Sequence, residues 1–310
     1  MKINKGKILR AVLTSGAKKI SQLKQDLADV EIIVKASTDT YARYSRTLKT
    51  ALLNEWNASS RSAINEAIKY LEVNKYELNS ETLDYIDKRM ATVMGDNFAG
   101  AVSGDVTKAV NKTYSFAHSD AVVVAPAFAV PDLEAIAWLE GDAMFWIGSH
   151  YEKQTRKRLM TVGKEIIEQG LPRADAAKVL KKRFGQEFKK SDSYWRGLAN
   201  HVTTRAREFS HVESWVKSKT TYYEIIGVSD FRQTDICREM NGKVFPVEKA
   251  VKLKKRIMAA SSPEAVKKAD RWYKHEEITD WRVEKLPLPM ALPPYHFGCR
   301  TRTIRSTKES

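Results

Sequence analysis

Apolar residues recur at helical spacing through most of the first 110 positions, and this periodicity restricts what the chain can fold into more than any other feature. Leu23, Leu27, Val30, Ile33 and Val34 share one face of a helical repeat, as do Tyr41, Tyr44, Leu48, Leu52 and Trp56. Ile64, Ile68 and Leu71 carry the stripe through SRSAINEAIKY. Asn79 or Ser80 supplies a cap for the next helix, ETLDYIDKRMATVM, whose early Glu81 and Asp84 suit the positive end of the helix dipole. Stripes of this kind face a core, so a helical bundle is expected.

The texture changes at residues 121–131, AVVVAPAFAVP. Val122 to Val124 suit a short buried strand, and Pro126 and Pro131 suit a linker or a sheet edge. A boundary is expected near 120–135. Helical pattern then returns, with Gly170 and Pro172 as a stop and restart signal, followed by helices over Ala174 to Phe184 and Ser191 to Thr220. From Tyr222 the run YYEIIGV is rich in β-formers and predicts a strand. Asn241-Gly242 predicts a turn, KVFPV a second strand, and TRTIR a third that closes a small sheet. Residues 248–278 read as charged helix, with Ser262 as a cap ahead of Pro263. The expectation is a mainly α chain: a helical N-terminal region (1–130), a helical lead-in (131–220) and a small α+β C-terminal module (221–310).

Charge narrows the partners. The 310 residues carry a net charge of +15, unevenly spread. Residues 1–50 hold 11 basic against 4 acidic side chains, 51–150 hold 7 against 14, 151–200 hold 13 against 6, and 201–310 hold 22 against 14. An acidic centre flanked by basic segments predicts a polyanionic environment. Ala121 to Gly148 is the most apolar stretch, but Pro126, Pro131, Asp132, Glu134, Glu140 and Asp142 interrupt it, so no membrane span is expected. The basic start MKINKGKILRAVL has no apolar run or small-residue cleavage site, so no secretory leader is expected. With only Cys237 and Cys299, a disulfide-rich secreted scaffold is excluded and a reducing cytoplasm fits, although one bridge between the two stays open.

Two segments carry the functional signal. The first is Asp230-Phe-Arg-Gln-Thr-Asp-Ile-Cys237-Arg-Glu-Met-Asn-Gly242-Lys-Val-Phe245-Pro, and the second is Pro293-Pro-Tyr-His296-Phe-Gly-Cys299-Arg300. In this order they resemble the C-terminal signature of the phage head morphogenesis family, the Mu F-like minor head proteins. Asp230, Arg232, Ile236, Cys237, Gly242, Lys243, Phe245, Pro293, Pro294, His296, Cys299 and Arg300 all fall in place. The helical stretch EIIEQGLPRADAAKVLKKRF and the arginine-bearing HVTTRAREFSHVESW are similar to the family's helical lead-in. The resemblance spans about 150–305 and is specific in the last 80 residues. It implies a minor capsid protein that joins the procapsid in few copies, near the portal. The implied partners are portal or major capsid subunits and packaged double-stranded DNA bound without sequence preference. The implied location is the virion, reached from the host cytoplasm during assembly.

One departure matters. Many relatives carry a second cysteine in each segment, in a pattern that looks like a structural zinc site, but here those positions are Thr234 and Thr301. Cys237, His296 and Cys299 remain, against the four ligands of a closed zinc site, with Asp235, His275 or a water as candidates for the fourth. Loss of two ligands together favours the alternative: a buried cysteine pair, thiol or disulfide, with His296 hydrogen-bonded beside it. No cofactor is therefore expected. Gly242 is expected at a tight turn, and Asp230 with Arg232 as an ion pair or cap.

Common nucleotide, zinc-protease and hydrolase signatures are absent from the sequence. Cys237 or Cys299 with His296 makes a formal nucleophile pair, and His296 with Arg300 and Arg302 a formal metal-independent nuclease site. Glu276, Glu277 and Asp280 are expected to be solvated on a charged helix rather than to hold a metal. The competing class is a phage-derived nuclease or toxin. Toxin modules are found attached to head proteins of this type, but the chain ends just after the head motif, so none is expected. No catalytic residue is assigned, and the expected role is structural.

Overall fold

The computed structural model describes residues 5–73, 75, 77–121 and 132–306, with most side chains from Asp39 onward. Two compact units are present, Met1–Arg43 and Tyr44–Ser310. The first is helical from Lys5, the start of α1 (Lys5–Val73), so the stripe from Leu23 to Val34 lies in helix. The strand expected at Val122 to Val124, and the prolines beside it, lie outside the described residues.

The second unit is built from the remainder of α1, then α2 (Ser80–Thr92), α3 (Phe98–Ala121), α4 (Leu133–His150), α5 (Arg156–Glu168), α6 (Arg173–Lys189) and α7 (Asp192–Lys217). Local chemistry sets the helix ends. Asn79 caps α2 through a reciprocal pair: its side chain accepts from the Thr82 amide at 3.0 Å, and Thr82 Oγ1 accepts from the Asn79 amide at 2.8 Å. Asp132 caps α4 by accepting from the Ala135 amide at 3.0 Å. Gly170, at φ +60°, ends α5, and Pro172 stands just before α6.

Helical spacing delivers the predicted stripe to the core. Leu48, Leu52 and Trp56 are almost fully buried, and the Trp56 ring meets Trp195 at 4.8 Å and Phe98 at 5.3 Å between centroids. The Trp56 indole donates to the Phe188 carbonyl at 3.1 Å, which satisfies its one polar atom in this setting. The same buried cluster runs on from Leu48 to Cys299. No described helix is long and apolar enough to cross a membrane.

Helix α7 is the spine of this unit, packing against α3, α4 and the elements that follow it. Every residue from His201 to Val212 is buried. A helix enclosed on all sides must pair its polar groups inside the protein, and that requirement shapes the C-terminal module.

The module holds β1 (Tyr222–Ile226), α8 (Asp235–Met240), β2 (Val244–Pro246), α9 (Val247–Met258), α10 (Pro263–Ala269) and β3 (Arg302–Ser306). β1 lies between β2 and β3 and is antiparallel to both, with Tyr223 opposite Phe245 on one side and Arg305 on the other. All three strands lie where β-formers predicted them, and the chain is mainly α with a small α+β end. The Tyr223 ring stacks on Trp215 of α7 at 4.7 Å, and its hydroxyl donates to the Ala291 carbonyl at 2.5 Å.

One expected element is different. The charged helix over 248–278 is two helices, α9 and α10, followed by irregular chain and a short 3-10 turn at His275–Glu277. Ser262 accepts from the Ala265 amide at 3.2 Å and Pro263 opens α10, so the cap signal marks a fresh start and not a continuation. Glu276 and Glu277 consequently sit on the 3-10 turn, and Asp280 is in the left-handed region at φ +60°, off any helix. Glu277 pairs with Arg271.

Candidate functional site

The two signature segments meet at the end of the sheet. The first leaves β1, turns through 227–234 and enters α8, which carries Cys237 inward while Asp235 stays exposed. Asn241 closes this loop by accepting from the Gly227 amide at 2.7 Å. Gly242, at φ +79°, donates its amide to the Ile225 carbonyl at 2.8 Å, and so occupies the turn conformation expected of it. The second segment follows the 3-10 turn Leu288–Ala291 through Pro293 and Pro294 to Cys299, which is fully buried. Asn200 and Thr204 of α7 both donate to the Cys299 carbonyl, at 2.6 and 3.3 Å. The spine thus holds the second segment by its backbone.

Cys237, His296 and Cys299 come together, with their ligand atoms all within 4.8 Å of one another. His296 Nε2 lies 3.1 Å from Cys237 Sγ and 3.1 Å from Thr234 Oγ1, and the two sulfurs are 3.7 Å apart. His296 Nδ1 faces the Phe297 carbonyl at 3.0 Å. A hydrogen bond from Cys299 holds the Cys237 thiol down to about 6, against the opposing effect of burial, with Thr234, Thr301 and the Arg300 charge adding to it. Donating that bond, together with burial, pushes Cys299 up to about 12. Hydrogen bonding to Cys299 raises His296.

Asp230 and Arg300 form the second junction. Both guanidinium amino groups of Arg300 reach the Asp230 carboxylate, at 2.6 and 2.7 Å, across 70 residues of sequence. Sequence reasoning paired Asp230 with Arg232. That contact exists, as an amide bond to Oδ1 at 2.9 Å and a looser side-chain approach of 3.6 Å, but Arg300 is the principal partner. Its hydrogen bonds are the main reason the Asp230 carboxyl lies well below the usual carboxylate range.

The donor set can be tested against zinc on geometry. Neither proposed fourth ligand joins the cluster among the described residues: Asp235 pairs with Arg238 at 2.6 Å, and His275 lies 3.9 Å from Glu239. The hydroxyl of Thr234 adjoins His296, so the set is two sulfurs and one imidazole with a neutral alcohol at its edge. That is one strong ligand short of a closed tetrahedral zinc site.

Chemically, a low-pKa thiol beside an imidazole is the arrangement of an activated nucleophile. Here Cys237 is only 4% exposed, so a substrate has little access to the sulfur. Of the two arginines in the formal nuclease set, Arg300 is committed in a bidentate pair to Asp230.

Sequence reasoning missed a third junction, inside α7. Arg207 pairs with Glu208 through Nε at 2.7 Å and donates from Nη2 to the Thr301 carbonyl at 2.7 Å. Glu208 also accepts from Thr303 of β3, and His211 Nδ1 lies 3.2 Å from the same hydroxyl. A second buried pair, Arg205 with Asp270, ties α7 to the end of α10. The available signal was the segment HVTTRAREFSHVESW, whose polar residues occupy every side of a helix and leave no solvent face for its charges. No family model, curated protein or solved structure matches this chain.

Proposed function

We propose that this chain is a minor structural protein of a bacteriophage head, whose C-terminal module staples together two distant segments as part of head assembly. The observation that supports it best is the convergence of residues 230–245 and 293–305, the segments that carry the family resemblance. Asp230 joins Arg300, and Cys237 joins His296 and Cys299, so the signature side chains are engaged with one another. A structural role accounts for this arrangement without any reaction. On this reading the cysteine pair and His296 serve as a hydrogen-bonded junction without zinc. The basic segments face packaged DNA or acidic patches on portal and capsid subunits, at the capsid interior or portal vertex.

The test is co-assembly with phage portal and major capsid proteins, followed by sedimentation of the heads. The protein should sediment with heads in few copies. Cys237→Ser and His296→Ala should lower its melting temperature and its incorporation together, because removing buried Cys237 costs on the order of 2–4 kcal/mol and half-buried His296 is its partner at 3.1 Å. Failure of the wild-type chain to enter heads would refute the reading. So would a variant that melts normally and enters heads normally yet abolishes infectivity, since these residues would then act chemically.

A further inference from the structure

A cleft of about 370 Å³ opens beside the spine, with Phe297 of the second signature segment in its lining. Its walls are aromatic. Trp146 of α4, Tyr194 of α7, Trp272 and Phe297 line it, the last two 40% and 38% exposed. Phe297 and Tyr194 stack at 5.5 Å, and Phe297 lies so close to α7 that any side chain at Gly197 would collide with its ring. The aromatic wall is therefore held in place by the backbone beneath it.

The floor is polar. His201 and Arg205 line it, and both are nine-tenths buried or more. Arg205 pairs with Asp270 through Nη2, yet its Nη1 has no hydrogen-bond partner, and neither has His201 Nδ1. A buried donor without a partner is costly, so Arg205 Nη1 favours an occupant that brings a hydrogen-bond acceptor. At the rim, Lys267 is exposed, with its ammonium 5.0 Å from the centre of the Trp146 ring. Arg271 adds a second cation to the lining.

An apolar protein side chain would fill the walls but leave Arg205 Nη1 unpaired. A planar heteroaromatic ring carries acceptors in its own plane, and an attached phosphate complements the rim cations. Stacking on aromatic walls beside such cations is how unpaired bases are held without strong sequence preference. From these features we propose that the cleft between Trp146 and Trp272 binds a nucleotide, with the base against the aromatic walls, its acceptors toward Arg205 and His201, and its phosphate at Lys267. A free mononucleotide and an unpaired nucleotide of a strand share this chemistry.

The test uses the full chain and its tryptophan fluorescence. Deoxyadenosine monophosphate should quench saturably, and deoxyribose 5-phosphate at equal concentration should not. Trp272→Ala should weaken nucleotide binding roughly tenfold with the melting temperature unchanged. Lys267→Glu, on the surface, should weaken the monophosphate about threefold or more and leave adenosine unaffected. It carries the test if the tryptophan variant fails to fold. A single-stranded oligonucleotide with one adenine in an abasic backbone identifies the source: much tighter binding than the monophosphate points to a strand, and equal binding to a free nucleotide. The proposal is overturned if sugar phosphate and nucleotide bind alike, or if a folded Trp272→Ala binds as wild type. It is also overturned if N-acetyltryptophanamide competes as well as the nucleotide, because the cleft would then be reading a protein side chain.

Discussion

The Arg207–Glu208 junction offers the sharpest test of how β3 is held to the spine. Both side chains are nearly inaccessible, at 7% and 0% exposure, and each has a further partner in the last residues of the sheet. Glu208→Leu removes the carboxylate paired with Arg207 and leaves a buried guanidinium that donates to the Thr301 carbonyl. Arg207→Met leaves a buried carboxylate facing Thr303. Breaking a buried pair from one side costs about 3–5 kcal/mol. For a unit of this size each kcal/mol lowers the melting temperature by roughly 2–4 °C, so each single variant should melt about 6–20 °C lower. The double variant removes both charges together. It still loses the bonds to Thr301 and Thr303, about 1–3 kcal/mol each. Its total should therefore fall short of the sum of the singles by about 4 kcal/mol, the uncompensated charge having been counted twice in that sum. Circular dichroism melts of the four proteins measure this coupling directly. Additive costs, to within about 0.5 kcal/mol, would refute the argument, because the pair would then be two independent residues.

Three further outcomes are expected. Purified protein should carry zinc far below one ion per chain, and elemental analysis finding one equivalent that is lost in Cys299→Ala would reverse the reading of the donor set. Burial, with the Arg158 charge adding to it, holds His150 down to about 4, and neither ring nitrogen has a partner. The unfolded chain takes up this proton as pH falls through about 6.5 and the folded chain does not, so stability is lost across that window. His150→Phe should therefore lose about 2 kcal/mol less than wild type between pH 7.5 and pH 5, and urea titrations giving equal losses would count against it. The basic segments predict duplex DNA binding whose affinity falls steeply with salt and shows little sequence preference. Binding unchanged over a several-fold rise in salt, or a strong consensus site, would show that the contacts are not chiefly to phosphates.

What could be read from the sequence depended on how local each signal was. Helical stripes such as Tyr41 to Trp56 and the β-rich run at Tyr222 report on neighbouring residues, and both elements form where their spacing placed them. In the charged stretch 248–278 the lysines suit helix throughout, and the cap read at Ser262 ahead of Pro263 is where the second helix starts. Cys237, His296 and Cys299 were brought together only by resemblance, since nothing in their spacing states that residues 62 apart touch. The Asp230–Arg300 pair shows the opposite failure. Arg232, two residues away, was the obvious local partner, but the proline-rich run delivers Arg300 from a distance. The buried charges of α7 left only a weak local signal, because polar residues on every side of a helix do not say which partners they meet.

The way these contacts are distributed bears on how the module holds together with an incomplete metal-ligand set. Closing a loop of the length that separates Cys237 from Cys299 costs roughly 4 kcal/mol in chain entropy, before any strain. A bound structural zinc, at about 10–16 kcal/mol in small domains, would exceed that cost by itself. A hydrogen bond contributes about 1 kcal/mol net, and one involving a charged group about 1.5–3 kcal/mol. No single junction here matches a metal. Arg300 on Asp230, the Thr234–His296–Cys237 contacts, and Arg207 with Glu208 on the Thr301 carbonyl and the Thr303 hydroxyl act at three separate points along the returning segment. Together they exceed the closure cost by a modest margin. Threonines at 234 and 301, beside an incomplete donor set, are thus compatible with an ordered module, provided the spine supplies bonds that coordination would otherwise supply. Asn200, Thr204 and Arg207 do so, each donating to a carbonyl of the segment that bears Cys299.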